Sequence, residues 1–404
     1  MRFAVLALAS LAAVSVGDSS VLHGAGHWVG LGGPEGSFLE LGLEHASMAG
    51  VTLEITVPGF WMVDTPGEAG AVYDRIELPG YSWNEVDPGL PELPIVPLLL
   101  AVPPGCRAVI EEIDLEETSM PGVEVYPMQP PATDLQDASA AAFVPPSPGS
   151  GTDEPLTTPT AWAWTDNEGV WAGVPVVRLA VSPLRYAAAT GDLHAARRMR
   201  IRVGFEGEPT GFPAVSPRLA EMQATQILNY SSLPIPDPGG TDDGDPVYIL
   251  ITNDENLDEI TPLARVQHLL GNHMVVEVLP NPATSTQIRS AVTGNYQSGT
   301  TLFALIAGPH AELPSYNYGS FYGDYYFATV DGDDYPDLAV GRISDTDDEI
   351  PNQVDKILSY ISHTGSPGQP SIPASAALCA HEQDYPGGYT ANKNLIKSYP
   401  YGLT

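Results

Sequence analysis

The amino-acid sequence predicts a multidomain protein in which an all-β domain precedes an α/β domain with a mainly parallel sheet. Between residues 51 and 205, short alternating or β-branched segments are separated by Pro and Gly, a pattern typical of an antiparallel sandwich. After Pro246, continuous apolar segments alternate with amphipathic helices, as expected for a sheet covered on both faces. The 404 residues suffice for about two or three domains.

Five segments of the first region have the period and the punctuation of strands. Residues 199–205 are representative, because Ile201 and Val203 are expected to face inward while Arg200 and Arg202 face outward. Pro-Gly pairs end two of the segments, as turn formers do. The predicted strands are residues 51–57, 73–78, 108–115, 174–183 and 199–205.

Two stretches rich in Pro, Ala, Ser, Thr and Asp interrupt these patterns. We interpret residues 128–160 as an excursion within the first domain, because they offer little that could be buried. Residues 206–245 end in a run of turn formers and aspartates and mark a domain boundary. The predicted division is a signal peptide at 1–17, a β-rich domain at 18–208, a linker at 209–245 and an α/β domain at 246–404.

The second region alternates strands with helices. Thr261-Pro262 is expected to open the first helix by capping and an N1 proline, with Leu263, Leu269 and Leu270 on its apolar face. The predicted strands are residues 247–252, 275–279, 302–307 and 374–380, and the two further helices are residues 284–292 and 350–361.

The N-terminus has the pattern of a secretory signal peptide. Arg2 is followed by fourteen uncharged residues and then by the polar break at Gly17-Asp18. A buried first strand or helix is the alternative. Elsewhere the longest apolar run, residues 93–102, is too short to span a bilayer, so we expect an exported chain with no membrane insertion after signal removal.

Composition argues against several classes of function. Lys and Arg total 16 against 50 Asp and Glu, a formal charge of −34, so a sequence-independent nucleic-acid binder is not expected. Two cysteines cannot form a disulfide scaffold, and no Cys/His cluster indicates zinc. No HExxH, GxSxG, Walker or GxGxxG pattern occurs in the context that its chemistry requires.

One acidic segment, VDGDDYPDLAVGR, is the sharpest local signal. Asp331, Asp333 and Asp337 can present carboxylate oxygens to a hard cation such as calcium, while Gly332 allows a tight turn. The segment lacks the glutamate at position twelve of an EF-hand loop. The alternative is an acidic hairpin whose aspartates only cap turns. Structural calcium is therefore a prediction.

Candidate nucleophiles and bases are sparse. His310 follows a predicted strand at its C-terminal end, where α/β sheets place their sites, but no nucleophile is evident beside it. Cys379 and His381 could share one face at the end of a strand, although a small buried cysteine is the commoner case. Cys106 is expected to be structural or incidental.

Several phrases together resemble the gingipain-type cysteine peptidases with their N-terminal propeptide domain. The segment at residues 325–344 is the most specific of them, and the resemblance covers nearly all of the chain after the predicted signal peptide. The phrases are VPGF at 57–60, RIELPG at 75–80, PGLPELPIVP at 88–97, AVPPG at 101–105, YILIT at 248–252, LIAGPHAELPS at 305–315 and YYFATVDGDDYPDLAVGRIS at 325–344.

The resemblance implies a secreted zymogen in which an all-β propeptide contacts and blocks a caspase-like α/β domain acting on protein or peptide substrates. It also implies that catalysis requires no cofactor. In that family the catalytic histidine lies in a GHG phrase and the cysteine in a later phrase, and neither has a counterpart before Thr404. We therefore assign no catalytic residue, do not promote Cys379, and expect the chain as given to be an inactive N-terminal part of such a peptidase. A non-catalytic secreted homologue or a calcium-stabilised binding module is the alternative.

Substrate preference is not predicted, and the substrate-binding residues stay unknown. Glu382 or Asp384 could favour a basic P1 residue by charge pairing, although solvated acidic turn residues are the simpler interpretation. Arg218 is the only basic residue between Val203 and Ala264, which makes it a candidate processing point.

Overall fold

The computed structural model describes residues 26–81, 86–130, 142–147, 157–237, 246–344 and 350–363. Within it the chain forms two compact units that are not simply successive in sequence. The first unit contains residues up to Glu168 together with Val177–Thr210 and Ile227–Leu233. The second contains Gly169–Val176, Gly211–Gln226 and the residues from Pro234 onward.

The β-rich region has twelve strands in its described residues and forms three sheets. Their bounds are β1 His27–Gly30, β2 Glu40–Ser47, β3 Gly50–Thr56, β4 Gly59–Pro66, β5 Val72–Glu77, β6 Val96–Ala101, β7 Cys106–Met120, β8 Thr157–Thr158, β9 Ala163–Trp171, β10 Val174–Val181, β11 Leu184–Ala187 and β12 Asp192–Gly207. The orders are β1-β4-β5, β6-β10-β9 and β2-β3-β12-β11-β8, with β7 also paired to β12.

Strand β12 organises the largest sheet, because it pairs antiparallel with β3, β7 and β11. The predicted alternation along it is confirmed, since Ile201 and Val203 are fully buried. Arg200 and Arg202 on the opposite face form ion pairs with Glu44 and Glu111 of neighbouring strands. Sequence period alone thus assigned the two faces of this strand.

The strands β7 and β12 are longer than predicted. They run over 15 and 16 residues, against predictions of residues 108–115 and 199–205. The added ends are rich in charged and polar residues, although Leu193 and Ala195 at the start of β12 are fully buried and alternate with polar residues. Their cross-strand partners hold them in the sheet, with charged pairs such as Arg198 with Glu54 and Arg107 with Glu206.

The second unit contains a four-stranded parallel sheet in the order β14-β13-β15-β18. Its strands are β13 Val247–Asn253, β14 His273–Leu279, β15 Thr301–Ala307 and β18 Ala339–Ile343, with the short hairpin β16 Tyr316–Asn317 and β17 Tyr322–Gly323 inserted. The helices are α1 Pro217–Gln226, α2 Leu257–Leu269, α3 Ser285–Asn295, α4 Tyr325–Ala328 and α5 Ile350–His363.

Both faces of this sheet are covered, as continuous apolar strands require. Ile249 and Ile251 of β13 point into one core with Ile288 of α3. Leu250 points into the other core with Ile260 of α2 and with residues of α5. None of the helices in the described part of the chain combines the length and the apolar character needed to cross a membrane.

The predicted start of helix α2 is wrong. The helix begins at Leu257 after Asn256, so Pro262 lies inside it and not at its first position. Thr261 donates its hydroxyl to the carbonyl oxygen of Leu257, one turn earlier. The predicted apolar face is also incomplete, because Leu269 at the C-terminal end is 83% exposed.

Several predicted features lie outside the described residues. These are the signal peptide at 1–17, the strand at 374–380, and the candidate residues Cys379, His381, Glu382 and Asp384. The domain boundaries and the processing point stay predictions.

Candidate functional site

Asp337 is the buried centre of the loop between α4 and β18. Its side chain has only 2% of its surface exposed. Oδ2 accepts the backbone N–H of Val330 at 2.6 Å and that of Asp331 at 3.1 Å, while Oδ1 accepts the hydroxyl of Tyr296 at 3.1 Å. One carboxylate therefore fixes the start of the acidic segment and ties it to the residue after α3.

The other two predicted aspartates cap successive turns of the same loop. Asp331 Oδ1 accepts the N–H of Asp333 at 3.2 Å, and Asp333 Oδ1 accepts the N–H of Tyr335 at 2.7 Å. Each bond spans two residues, which is the geometry of an Asx turn. The structure thus brings Asp331, Asp333 and Asp337 together in one loop, with every carboxylate bonded to backbone N–H.

Burial makes ionisation of the acidic side chains in this loop less favourable. Burial raises the pKa of Asp331, and the nearby Asp333 carboxylate adds to the increase. Burial likewise raises the pKa of Asp337, with Asp331 contributing, and it raises that of the Tyr296 hydroxyl beside Asp337. Hydrogen bonds from the backbone oppose these shifts only in part.

Carboxylate oxygens are the donors that calcium prefers, so the loop has suitable chemistry for a hard cation. The oxygens, however, point at backbone N–H groups, as the capping alternative requires. Over the described ranges, no group of three or more His, Cys, Asp or Glu side chains is arranged to hold a metal ion. Calcium at Asp331, Asp333 and Asp337 stays a prediction.

A contact that the sequence did not reveal involves the second oxygen of Asp333. Oδ2 accepts the backbone N–H of Val170 at 2.6 Å, across 163 residues of sequence. Val170 belongs to the segment Gly169–Val176, which packs within the same unit as Asp333. No local pattern predicts such a bond, because its donor is a main-chain group with no residue preference.

The C-terminal edge of the parallel sheet carries a polar network. Asn253, fully buried at the end of β13, donates its Nδ2 to Glu312 Oε2 at 2.6 Å, and Asn256 donates to the same oxygen at 3.0 Å. Thr252 donates its hydroxyl to the carbonyl oxygen of Ala307 at 3.1 Å. These bonds fix the loop after β15 against the end of β13, where α/β folds place their sites.

His310 lies in that loop and is exposed. Its Nδ1 accepts the backbone N–H of Ser315 at 3.2 Å, so the neutral ring carries its proton on Nε2. The ring packs edge-on against Tyr322, with centroids 4.8 Å apart. In the described part of the chain the only cysteine is Cys106, on β7 of the first unit. These contacts fix the position of His310 in the loop, but none of them is with a nucleophile.

Arg342 and Asp324 form a two-bond ion pair at this edge, and sequence reasoning missed it. Two parallel bonds join them, from Nε at 2.7 Å and from the second terminal nitrogen at 2.8 Å. The remaining nitrogen donates to the carbonyl oxygens of Leu313 at 2.7 Å and Gly308 at 3.2 Å. One guanidinium therefore positions the loops after β15 and after β17. The sequence signal that could have indicated this ion pair is the single charged residue, Arg342, in the segment AVGRI that forms β18.

Arg218, the candidate processing residue, lies in the first turn of α1. Its guanidinium stacks over the ring of Phe303 at 5.3 Å and donates to Asn272 Oδ1 at 3.4 Å. A peptidase binds its substrate in an extended form. Cleavage after Arg218 would therefore require the first turn of the helix to open.

Two family models match successive parts of the chain. The model of the C25 propeptide matches residues 32–232, and the model of peptidase family C25 matches residues 241–399. Among curated relatives, Lys-gingipain HG66 and Lys-gingipain W83 of Porphyromonas gingivalis are each 24% identical over 331 residues. The matches cover 72% of this chain and 18% of each relative, so the chain spans about a fifth of their length.

Two solved structures from the same organism are similar at lower coverage. The complex of the RgpB pro- and mature domains has a TM-score of 0.42 and 16% identity, covering 47% of this chain and 97% of that one. The gingipain K structure that addresses zymogenic latency has a TM-score of 0.37 and 20% identity, covering 45% of this chain and all of that one. By the two family models and the Lys-gingipain relatives, the chain belongs to peptidase family C25 and carries the gingipain-type propeptide ahead of its peptidase region.

Proposed function

We propose that this chain is the N-terminal part of a secreted gingipain-like cysteine endopeptidase zymogen that hydrolyses peptide bonds in protein or peptide substrates. The observation that carries the proposal is the order of the two family matches, with the propeptide at 32–232 and the peptidase at 241–399 on one chain. A propeptide region ahead of a peptidase region on one chain supports a zymogen.

The fold supports the proposal in its architecture. The β-rich region would form the antiparallel sandwich of a propeptide, and the parallel sheet would belong to a caspase-like domain. Thiol catalysis needs a thiolate, a base and donors for the oxyanion, and strand ends are where such groups converge. We expect the catalytic histidine and cysteine to follow further strands, outside this chain, so that residues 1–404 alone are inactive.

Export is part of the same proposal. Arg2 with the uncharged residues 3–16 supports a cleaved signal peptide, and the net charge of −34 supports solubility outside the cell. Mass spectrometry of the secreted product tests this point. A mature N-terminus near Asp18 is expected, and an intact Met1 in the exported protein would contradict it.

The decisive experiment is to sequence the gene beyond the codon for Thr404, express its whole product and assay peptide hydrolysis. We expect a strand-end histidine and a later strand-end cysteine to follow. Cysteine-to-alanine substitution at that later position should abolish hydrolysis, while the same substitution at Cys106 should leave it unchanged. A stop codon directly after Thr404 would favour the non-catalytic secreted homologue or the calcium-stabilised binding module instead.

A further inference from the structure

Four large aromatic side chains are exposed on one short segment of the second unit, and we call them the aromatic surface. Each has between 39% and 61% of its surface accessible. They are Tyr318, Phe321, Tyr322 and Tyr325. Among the described residues, only Phe38 and Tyr360 are comparably exposed members of the Phe, Tyr and Trp class. Single exposed apolar residues are normal in proteins, but a cluster of them marks an interaction site.

Contacts within the segment hold the four rings in place. Tyr318 and Phe321 stack with centroids 4.8 Å apart, and the N–H of Tyr318 donates to the carbonyl oxygen of Phe321 at 2.9 Å. Tyr322 packs against His310, and the hydroxyl of Tyr325 donates to the carbonyl oxygen of Asp334 at 2.5 Å. Because the rings are ordered before a partner arrives, binding loses little side-chain entropy.

The same cluster already holds one cation on an aromatic face. Tyr316 packs edge-on against Tyr318 and stacks on Tyr326, with centroids 4.9 and 3.9 Å apart. The guanidinium of Arg289 lies over the ring of Tyr326 at 4.6 Å, which is a cation–π contact. Arg289 is half-buried and also donates to carbonyl oxygens of the following loop. It therefore belongs to the interior of the cluster and not to the exposed surface.

The charge beside the aromatic surface is negative. Asp334 is exposed next to Tyr325, and burial raises the pKa of the Tyr325 hydroxyl while the charges of Asp334 and Asp333 raise it further. Arg342 meets the segment at Asp324 and is neutralised by that carboxylate. The net charge of −34 disfavours a second copy of the chain or an anionic membrane as the partner. The complementary partner is a cation.

We propose that the aromatic surface binds an extended, arginine-rich polypeptide segment, whose guanidinium groups lie over the exposed rings and pair with Asp334. Guanidinium groups stack on aromatic rings and form ion pairs with carboxylates, so one arginine side chain suits both features of the site. The surface lies between β15 and β18, in the connection that leaves the C-terminal edge of the parallel sheet. Binding there requires no bond cleavage, so the inference does not rest on the proposed function.

Fluorescence anisotropy of the 404-residue chain with a labelled peptide of alternating arginine and glycine tests the proposal. We expect saturable binding, about tenfold or more tighter than that of a matched peptide with citrulline in place of arginine, because citrulline keeps the planar group without its charge. Equal binding of the two peptides, or binding of neither, would overturn the proposal. The readout is binding alone, so either result leaves the proposed peptidase function to its own test.

Ring variants separate this surface from general attraction to an acidic chain. Phe321→Ala and Tyr322→Ala should each weaken binding of the arginine peptide about threefold or more, because a ring face is lost. Phe321→Tyr, which keeps a ring, should retain the affinity. Tyr360→Ala is the matched control, because Tyr360 is equally exposed but lies on α5, which packs in the other core. Equal affinity in Tyr322→Ala and Tyr360→Ala would contradict the assignment.

A charge variant tests the contribution of Asp334. Asp334→Asn should weaken binding of the arginine peptide and reduce its dependence on salt, because an ion pair is lost. Asp258→Asn, at an exposed position of α2, should change neither quantity. Identical affinity and salt dependence in the two variants would refute the pairing of the peptide with Asp334.

A neutral glycan is the rival ligand for exposed aromatic rings, and chitin beads provide the comparison. We expect the chain to pass over chitin without retention. Retention on chitin that Phe321→Ala abolishes, together with no binding of the arginine peptide, would overturn the proposal in favour of a glycan ligand.

Discussion

At the scale of single residues, the ion pair between Arg342 and Asp324 shows how one side chain can order an edge of the sheet. The Arg342 side chain is 14% exposed, and its guanidinium donates to two carboxylate oxygens and two carbonyl oxygens. Arginine suits this position because its planar fork donates in fixed directions. Lysine could not make the parallel pair of bonds.

Arg342→Ala should lower the free energy of unfolding by about 2–4 kcal/mol, since it leaves a mostly buried carboxylate without its partner. Urea denaturation of the full chain measures this loss. The control is Arg202→Ala, which removes an exposed pair with Glu111 and should cost under about 1 kcal/mol. Equal losses in the two variants would show that burial does not set the strength of the first pair.

The same pair predicts a pH dependence. Burial opposes ionisation of Asp324, but the bonds from Arg342 outweigh it and hold the pKa of the carboxyl below its usual 3.8. The stabilisation is therefore complete above that ordinary pKa and is lost as the pH falls through the lower value in the folded state. The stability difference between the unaltered chain and Asp324→Asn should shrink below about pH 4. Urea titrations at neutral and acidic pH test this, and a constant difference would contradict it.

At the scale of elements, helix α3 shows a local signal that specifies a boundary. Thr284 Oγ1 accepts the N–H of Gln287 at 3.2 Å, and Gln287 Oε1 accepts the N–H of Thr284 at 2.9 Å. This reciprocal capping box satisfies two donors that a helix start leaves free. The predicted start at 284 is correct to within one residue, in contrast to that of α2.

Thr284→Ala should cost about 1 kcal/mol of stability, because the first turn loses its acceptor. Thr286→Ala, two residues further on the exposed surface of the helix, is the matched control and should change stability by less than about 0.5 kcal/mol. Thermal and urea denaturation measure both. Indistinguishable variants would mean that packing, not capping, fixes the start of α3.

The acidic loop depends on its buried member. Asp337→Ala should destabilise the chain by about 2–4 kcal/mol, because Val330 and Asp331 lose the acceptor of their N–H groups. Asp334→Ala should have little effect, since its side chain is exposed. Urea denaturation of both variants distinguishes a carboxylate that holds the loop together from one that only adds surface charge. A mild effect at Asp337 would indicate that the loop closes without it.

At the scale of the whole molecule, calcium and the turn caps make different predictions for the same loop. If Asp331, Asp333 and Asp337 bind calcium, added calcium chloride should raise the melting temperature. At a calcium concentration one hundred times the dissociation constant, the free energy of unfolding should increase by about 2.7 kcal/mol. Asp331→Asn should abolish this increase in melting temperature, whereas Asp258→Asn, at an exposed position of α2, should leave it unchanged. A melting temperature that calcium leaves unchanged would refute the metal site and leave the turn caps as the full account.

Much of the architecture followed from local patterns. The alternation of residues 199–205 assigned the faces of β12, and the apolar run at 247–252 identified a strand buried on both sides. These features depend on the period of side chains along a strand, which neighbouring residues carry. The start of α2 was misplaced because the preference of proline for the first helical position predicts a start at Pro262, whereas the helix begins at Leu257 and contains Pro262 in its interior.

The sequence by itself determined the change from β-rich to α/β organisation, the family, and the acidic segment that contains Asp331, Asp333 and Asp337. Tertiary structure alone decided that Asp333 meets Val170 across 163 residues and that Arg342 meets Asp324 at the edge of the sheet. The physical reason is that periodicity and turn chemistry act between near neighbours. Contacts between distant groups, especially those made by backbone N–H, depend on how the packed elements bring them together.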